Sequence, residues 1–253
     1  MIRDKTIGII GLGLIGGSIA RALKSKNKGY IVYAHDKQEK HLLSALKDGI
    51  IDKKCSINEF NSCHIIFICV PAYIMPSVLE ELMPILKPGC IITDVGSTKG
   101  DVAALVSKLG LNDRFIGGHP LAGSERYGYE ASKANLFENA YYCLTPFSKT
   151  QEKDLEILKA VISDMGAIPI EMTPEMHDKA TAAISHVPHV VAALLVNLVG
   201  ILDDQDNLMK TIAAGGFKDI TRIASSSPDL WTGICLSNKD AILETLRRRS
   251  ELL

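Results

Sequence analysis

Apolar residues gather into short runs from residue 5 to about 172. Between these runs lie stretches in which apolar positions recur every three to four residues. The runs at 5–10, 30–35, 65–70, 91–95, 114–118, 140–146 and 168–172 predict strands. The periodic stretches at 14–27, 38–48, 74–83, 100–109 and 151–165 predict helices. Such alternation means βαβ units, a mostly parallel sheet and helices on both of its faces. After Met172 the β-runs stop. Thr173-Pro174-Glu175 supplies a capping hydroxyl, a proline for the first helical position and an acid for the first turn. Helical pattern then continues to the end, at about 174–186, 188–202, 204–214, 217–225, 228–236 and 238–252. Two domains are expected, 1–172 and 173–253. The second is too thin to bury much apolar surface alone, so pairing with a second copy is expected.

The first strand ends in Gly11-Leu12-Gly13-Leu14-Ile15-Gly16, a G-x-G-x-x-G spacing that opens directly into a helix. Gly11 suits a tight turn, Gly13 a close approach of a pyrophosphate, and Gly16 close packing of helix on strand. The free N–H groups of the helix start, at Leu14, Ile15 and Gly16, face the phosphates with the positive end of the helix dipole behind them. Twenty residues past Gly16 a second strand ends at Asp36, placed to accept hydrogen bonds from ribose hydroxyls and to repel a 2′-phosphate. The fold expected is therefore an α/β Rossmann-type dinucleotide-binding domain followed by an all-α C-terminal domain, with NAD favoured over NADP. Lys37 beside Asp36 weakens that preference. A secretory leader is disfavoured, because Asp4 and the glycines interrupt the apolar stretch and Arg21 and Lys24 follow in helical register.

The chain has 253 residues, a formal net charge of −1, 47% hydrophobic and 23% charged residues, values of an ordinary globular protein. That balance gives no electrostatic case for nucleic acid or an anionic membrane. The longest apolar run, Val187 to Leu202, contains Pro188, His189 and Asn197. It falls short of a bilayer span and reads as a buried helix. Six cysteines without a C-x-x-C pair read as buried free thiols in a reducing cytoplasm.

In a doubly wound sheet, ligands sit outside the carboxyl ends of the strands. Val70-Pro71 follows the third run as a short bend able to lie along the cofactor. Asp94-Val95-Gly96-Ser97-Thr98-Lys99-Gly100 follows the fourth, small and polar, able to reach a nicotinamide or a substrate hydroxyl. Gly117-Gly118-His119-Pro120 and Ser124-Glu125 follow the fifth. A histidine with a reference pKa near ~6.5 can take the proton that oxidation of an alcohol releases, which makes His119 the leading catalytic candidate. A histidine that merely caps the loop is the alternative. In Ser185-His186-Val187-Pro188-His189 two histidines lie three apart. With no third ligand at zincin spacing, and with Pro188 expected to break the helix between them, a pocket-lining role is preferred to metal, and no metal site is expected. Lys218 and Arg222 follow Gly215-Gly216 near Trp231 and suit carboxylates, although a solvated surface pair explains them equally well.

Together the motifs G-L-G-L-I-G-G-S, D-V-G-S-T-K-G, G-G-H-P-L-A-G-S-E, S-H-V-P-H and G-G-F-K-D-I-T-R-I-A with S-P-D-L-W resemble the prephenate dehydrogenase family of tyrosine biosynthesis, from residue 5 to about 240. The resemblance implies NAD-dependent oxidative decarboxylation of prephenate to 4-hydroxyphenylpyruvate. It puts the catalytic histidine on His119 and its serine partner on Ser97, and matches Arg222 to the arginine that binds the substrate carboxylate. His189, Lys218, Ser124, Glu125 and Trp231 match further pocket residues, and family members pair through the helical domain. The chain starts at the nucleotide-binding strand and ends soon after its last helix, so any tyrosine feedback is expected at or near the active site. Rival readings are the same chemistry on arogenate, a β-hydroxyacid or imino-acid reductase using Lys179, and a nucleotide-sensing regulator without catalysis. The reductase leaves G-G-H-P unexplained, and retention of His119, Ser97 and Arg222 weighs against the regulator.

Overall fold

The computed structural model describes residues 5–26, 28–124, 126–203 and 206–249. The chain divides into two compact units, Met1–His177 and Asp178–Leu253. The first runs β1 (Thr6–Ile10), α1 (Leu14–Ser25), β2 (Ile31–His35), α2 (Glu39–Lys47), β3 (Lys53–Lys54), β4 (Ile65–Ile68), α3 (Met75–Leu82), β5 (Ile91–Asp94), α4 (Gly100–Lys108), β6 (Phe115–Pro120), β7 (Tyr141–Pro146), α5 (Glu152–Asp164) and β8 (Ile168–Glu171). The helical part that follows is α6 (Pro174–Thr181), α7 (Val187–Leu202), α8 (Leu208–Ile212), α9 (Gly215–Thr221), α10 (Pro228–Ser237) and α11 (Lys239–Arg249).

The strands form one sheet in the order β3-β2-β1-β4-β5-β6-β7-β8. Strand order reverses at β1, whose neighbours are β2 and β4, both parallel to it. Side chains alternate across each strand, and here both faces are covered. Ile7, Ile9, Ile65 and Phe67 pack with α1 and α5 residues such as Ile19, Leu23, Leu158 and Ile162. Ile10, Ile66, Ile68 and Ile92 pack with Phe60, Leu79, Leu82 and Val106 on the other side. Burial on both faces is why these strands read as continuous apolar runs rather than alternating ones.

Two details of the sheet depart from the pattern-based expectation. Strand β3 is only two lysines long and was not anticipated, since a polar edge dipeptide carries no apolar signal. Strand β6 runs to Pro120, so His119 lies within the strand and not in the loop after it. The cause is β7, which returns antiparallel and pairs Pro120 with Tyr142 and His119 with Cys143. Among the described residues no α-helix separates β6 from β7, only a connection with a short 3-10 turn at Tyr129–Ala131, which permits that reversal. All six cysteines are free thiols, four of them buried, and burial pushes Cys63 up to about 12.

Pro188 does not break the helix. The chain passes from α6 through a π turn at Ala182–His186 straight into α7, whose first turn holds the proline. A proline lacks the N–H for the helical ladder and crowds the carbonyl four residues back, and one wide turn relieves both. The buried positions follow the extra residue: 177 and 181 are four apart, then 181 and 186 are five apart. The continuous helix Pro174–Leu202 has 29 residues, long and apolar enough to cross a membrane by length and composition alone. The same test is passed by core helices of soluble proteins. That run was expected to be short and buried. Instead its second half is largely exposed, with Ile201 at 80%.

The second unit is thin. Its buried apolar cluster is Ala182, Val187 and Ile242, with Val191, Cys235, Ala241 and Leu246 partly buried around them. Asn238 holds the interior by donating to the backbone carbonyl of Asp178 at 2.7 Å. Leu194, Leu208, Ile212 and Leu236 remain exposed.

Close packing of α1 on the sheet leaves no room at Gly16, where a Cβ would sit 1.9 Å from the carbonyl oxygen of Gly11. Gly16→Ala is expected to destabilise the protein by roughly 1–3 kcal/mol through backbone displacement. The midpoint of urea unfolding checks this, and an unchanged midpoint would mean that the turn yields freely.

Candidate active site

The turn after β1 is shaped for a ligand. Gly11 has φ +97°, and a Cβ there would lie 2.5 Å from the Cys69 carbonyl, so both conformation and packing demand glycine. Its N–H donates to the His35 carbonyl at 2.8 Å, which ties the turn to β2. The bend Cys69-Val70-Pro71 lies against the same turn: Val70 Cγ1 is 3.2 Å from a Cβ built on Gly11, and Cys69 N–H donates to the Ile10 carbonyl at 2.7 Å. Gly13 differs from Gly11. Its φ is −77° and a Cβ would meet nothing within 4 Å, so nothing in the protein requires glycine there. A backbone left bare beside open space fits a ligand that must come within contact distance. The helix start that follows, Leu14-Ile15-Gly16, has no acidic residue in its first turn to oppose an anion. These residues fit a dinucleotide pyrophosphate.

Asp36 also braces the turn. Its carboxylate accepts from the Leu12 N–H at 2.6 Å and the Gln38 N–H at 2.7 Å, with His41 Nδ1 at 3.3 Å. A carboxylate offers about four acceptor directions, so capacity for a ribose hydroxyl remains.

Strand order β1-β4-β5-β6 sets the next two loops beside this turn. Both are held by one buried ion pair. Asp94, at the end of β5, is 0% exposed and receives the ammonium of Lys99, itself 1% exposed. The same carboxylate accepts from the Gly96 N–H at 2.8 Å and from the Gly118 N–H at 3.0 Å. The first bond shapes the loop carrying Ser97, and the second fastens β6 one residue before His119. Glycine at 118 makes the approach possible, since a Cβ would lie 2.5 Å from the Asp94 carbonyl. Ser97 and His119 are both half-buried.

His119 is braced by a residue that pattern reading missed. Its Nδ1 lies 2.8 Å from Nε2 of His177, with the rings edge to face at 5.0 Å and 66°. His177 is 0% exposed and sits in the first turn of α6. Asp94 and Lys99 were also passed over as individuals, although both ends of the D-V-G-S-T-K motif were visible. A buried acid and base five apart at a strand end is the signal that could have found them.

In the helical unit, His189 stacks on Trp231 at 3.5 Å and 5°, and His186 meets the same indole edge-on at 6.0 Å. The π turn makes this possible by turning both histidines inward. Burial lowers the His189 imidazole below the usual histidine range, and its Nδ1 is buried without a hydrogen-bond partner. His189 is thus a neutral ring with an unspent polar atom. Lys218 on α9 and Arg222 in the 3-10 turn that continues it are exposed, four residues apart, on a stretch that packs against α7. Ser124 is exposed and accepts from the Arg126 N–H at 2.9 Å. Glu125 lies outside the described residues.

Comparison with known proteins agrees with these features. The family model for the prephenate dehydrogenase nucleotide-binding domain matches residues 19–186, and that for the prephenate dehydrogenase dimerization domain matches residues 173–250. The chain is 44% identical over 243 residues to a prephenate dehydrogenase of Bacillus subtilis (strain 168), covering 94% of this chain and 66% of that one. It therefore spans about two thirds of the length of this curated relative. Among solved structures, prephenate dehydrogenase from A. aeolicus in complex with hydroxyphenyl propionate and NAD+ is similar at TM-score 0.92 and 33% identity, over 99% of this chain and 88% of that one. Synechocystis arogenate dehydrogenase is similar at TM-score 0.85 and 34% identity, over 97% and 88%.

Removing one partner of a fully buried ion pair strands the other charge. Lys99→Met is expected to cost about 3–5 kcal/mol, and adding Asp94→Asn to it should recover part of that loss. Chemical unfolding of the single and double variants measures both. Additive losses would mean that the two side chains act independently.

Proposed function

The chain belongs to the prephenate dehydrogenase family, and we propose that it catalyses the NAD-dependent oxidative decarboxylation of prephenate to 4-hydroxyphenylpyruvate. One observation carries the reading most: a single buried carboxylate, Asp94, holds the Ser97 loop and the His119 strand beside a turn that leaves Gly13 bare for a ligand.

When bound, NAD+ supplies the hydride acceptor. Leu14, Ile15 and Gly16 offer their N–H groups to its phosphates, Val70 and Pro71 line its path, and Asp36 receives a ribose hydroxyl and disfavours a 2′-phosphate. Ser97 holds the ring hydroxyl of the substrate in register. His119 takes the hydroxyl proton as hydride leaves the same carbon. The bond between the ring and its carboxylate then breaks and CO2 leaves; the electron pair passes through the ring to the newly formed carbonyl oxygen, which takes back the proton held by His119 as the ring becomes aromatic. Aromatisation drives the loss of CO2, so the protein has only to orient the C–H bond and keep a proton acceptor at the hydroxyl. Prephenate is a dianion, and Arg222 and Lys218 are the cations assigned to its carboxylates. His189, stacked on Trp231, is assigned to a polar group of the side chain, its buried Nδ1 being without a hydrogen-bond partner in the protein. Ser124 belongs to the loop this reading assigns to the substrate.

Arogenate is the second reading, favoured by the likeness to the Synechocystis enzyme. It differs in carrying an ammonium where prephenate carries a keto group. Residues 173–250 match a dimerization domain, and the exposed apolar positions of α7 are the surface this reading assigns to a second copy. The same reading has a cytoplasmic enzyme, with tyrosine competing at the substrate site through its ring and carboxylate.

Initial rates of NADH formation with prephenate and arogenate side by side test the assignment. Turnover of prephenate is expected, preference for arogenate would reassign the side-chain contacts, and turnover of neither would overturn the reading. His119→Asn should lower kcat roughly 10²–10⁴-fold, as loss of a general base does. Arg222→Gln should instead raise KM roughly ten- to hundredfold, the weight of a charged hydrogen bond.

A further inference from the structure

His119 has two ring nitrogens, and the proposed reaction uses one of them. A neutral imidazole carries a single proton, so one nitrogen donates and the other accepts. To receive the substrate's proton at Nε2, His119 must carry its own proton on Nδ1. Imidazole free in water prefers the opposite arrangement. The surroundings therefore have to supply an acceptor at Nδ1, and the atom placed there is Nε2 of His177, at 2.8 Å.

We propose that His177 is a positioning residue for this reaction: its Nε2 accepts the Nδ1 proton of His119, selecting the tautomer whose Nε2 is open to substrate and locking the ring in place. The proposal rests on the reading of His119 as the proton acceptor. With Nε2 accepting, a neutral His177 carries its own proton on Nδ1.

The structural setting suits that task. His177 is 0% exposed, and water cannot compete for its Nε2. Its backbone is held by the start of α6: Pro174 occupies the first helical position, Thr173 Oγ1 accepts from the Met176 N–H at 3.2 Å, and the His177 N–H donates to the Thr173 carbonyl at 3.0 Å. His119 is fixed from its own side by β6, paired with Cys143 of β7 and anchored one residue earlier to Asp94. Both rings thus stand on regular elements, so their separation is set by the fold and not by a loop. When His119 becomes an imidazolium, Nδ1–H remains a donor and the acceptor at His177 is already in position, so no ring has to turn during the proton transfer.

The test begins without substrate. Long-range 1H–15N spectra of 15N-histidine protein above pH 7 report the tautomer of each ring, and His119→Asn identifies the His119 signals. The Nδ1–H tautomer is expected for His119 in the wild type, and its loss is expected in His177→Leu. A wild-type His119 in the Nε2–H form overturns the proposal. In the turnover assay, His177→Leu should lower kcat roughly tenfold to a hundredfold, as misplacement of a catalytic group does, while KM for prephenate changes by less than about twofold. His177→Gln, whose amide oxygen reaches the place of Nε2, should restore both the tautomer and most of kcat. A folded His177→Leu protein with wild-type kcat overturns the proposal. Should that variant fail to fold, the wild-type tautomer and His177→Gln decide, and a Gln variant with the Nε2–H tautomer and unchanged kcat overturns it. Absence of turnover by the wild type would count against the assigned reaction alone, because the spectra decide the pairing without it.

Discussion

A carboxylate and an ammonium buried together are costly to bury and costlier to separate, and this protein puts such a pair under the strand ends that carry Ser97 and His119. Asp94 and Lys99 are almost wholly shut off from water. The pair is more than a stabilising contact, because the carboxylate also accepts from the Gly96 and Gly118 amides. Those amides belong to two different strand ends, one leading to Ser97 and the other to His119. Gly118 then has its reason in packing, since any side chain there would strike the Asp94 carbonyl. A loop and a strand that are far apart in sequence are set against each other by one buried group.

The rest of the nucleotide-binding unit supplies the frame for that group. Strand order reverses at β1, which opens a crevice at the carboxyl ends where the Gly-rich turn, the Val70-Pro71 bend and the Ser97 loop stand side by side. The turn is braced from β2 by Asp36 through the Leu12 amide and from β4 through Cys69, so its conformation is set before any ligand arrives. On the other flank, His177 meets His119 from the first turn of α6. Preorganised donors and acceptors of this kind need not rearrange as charge moves, which is where rigid sites gain over water.

Much of this was legible in the sequence, for physical reasons that differ by element. The parallel strands were visible because both their faces are covered, which forces continuous runs such as Ile65 to Ile68. The Gly-rich turn was visible because its geometry demands glycine at particular spacings. His119 stood out because a titratable ring at a strand end has few structural uses. Less legible were features that depend on what the chain meets in space. Strand β3 is two exposed lysines whose pairing with β2 carries no apolar pattern. The reversal at β7 depends on the lack of an intervening helix, and the passage of Pro188 depends on a π turn five residues wide. The exposure of α7 was misjudged because apolar composition signals burial without saying against what. His177 and the Asp94–Lys99 pair were hidden for a further reason: their meaning lies in partners 58 and 24 residues away, His119 and Gly118.

Native-state hydrogen exchange at the Gly96 and Gly118 amides, compared between wild type and Asp94→Ala, tests most directly whether one buried carboxylate holds both strand ends. Amides of β4 in the middle of the sheet report global opening in the same experiment. If the account is right, Gly96 and Gly118 lose protection together and by far more than the β4 amides. Unchanged protection at either glycine, or an equal loss at all three places, would contradict it.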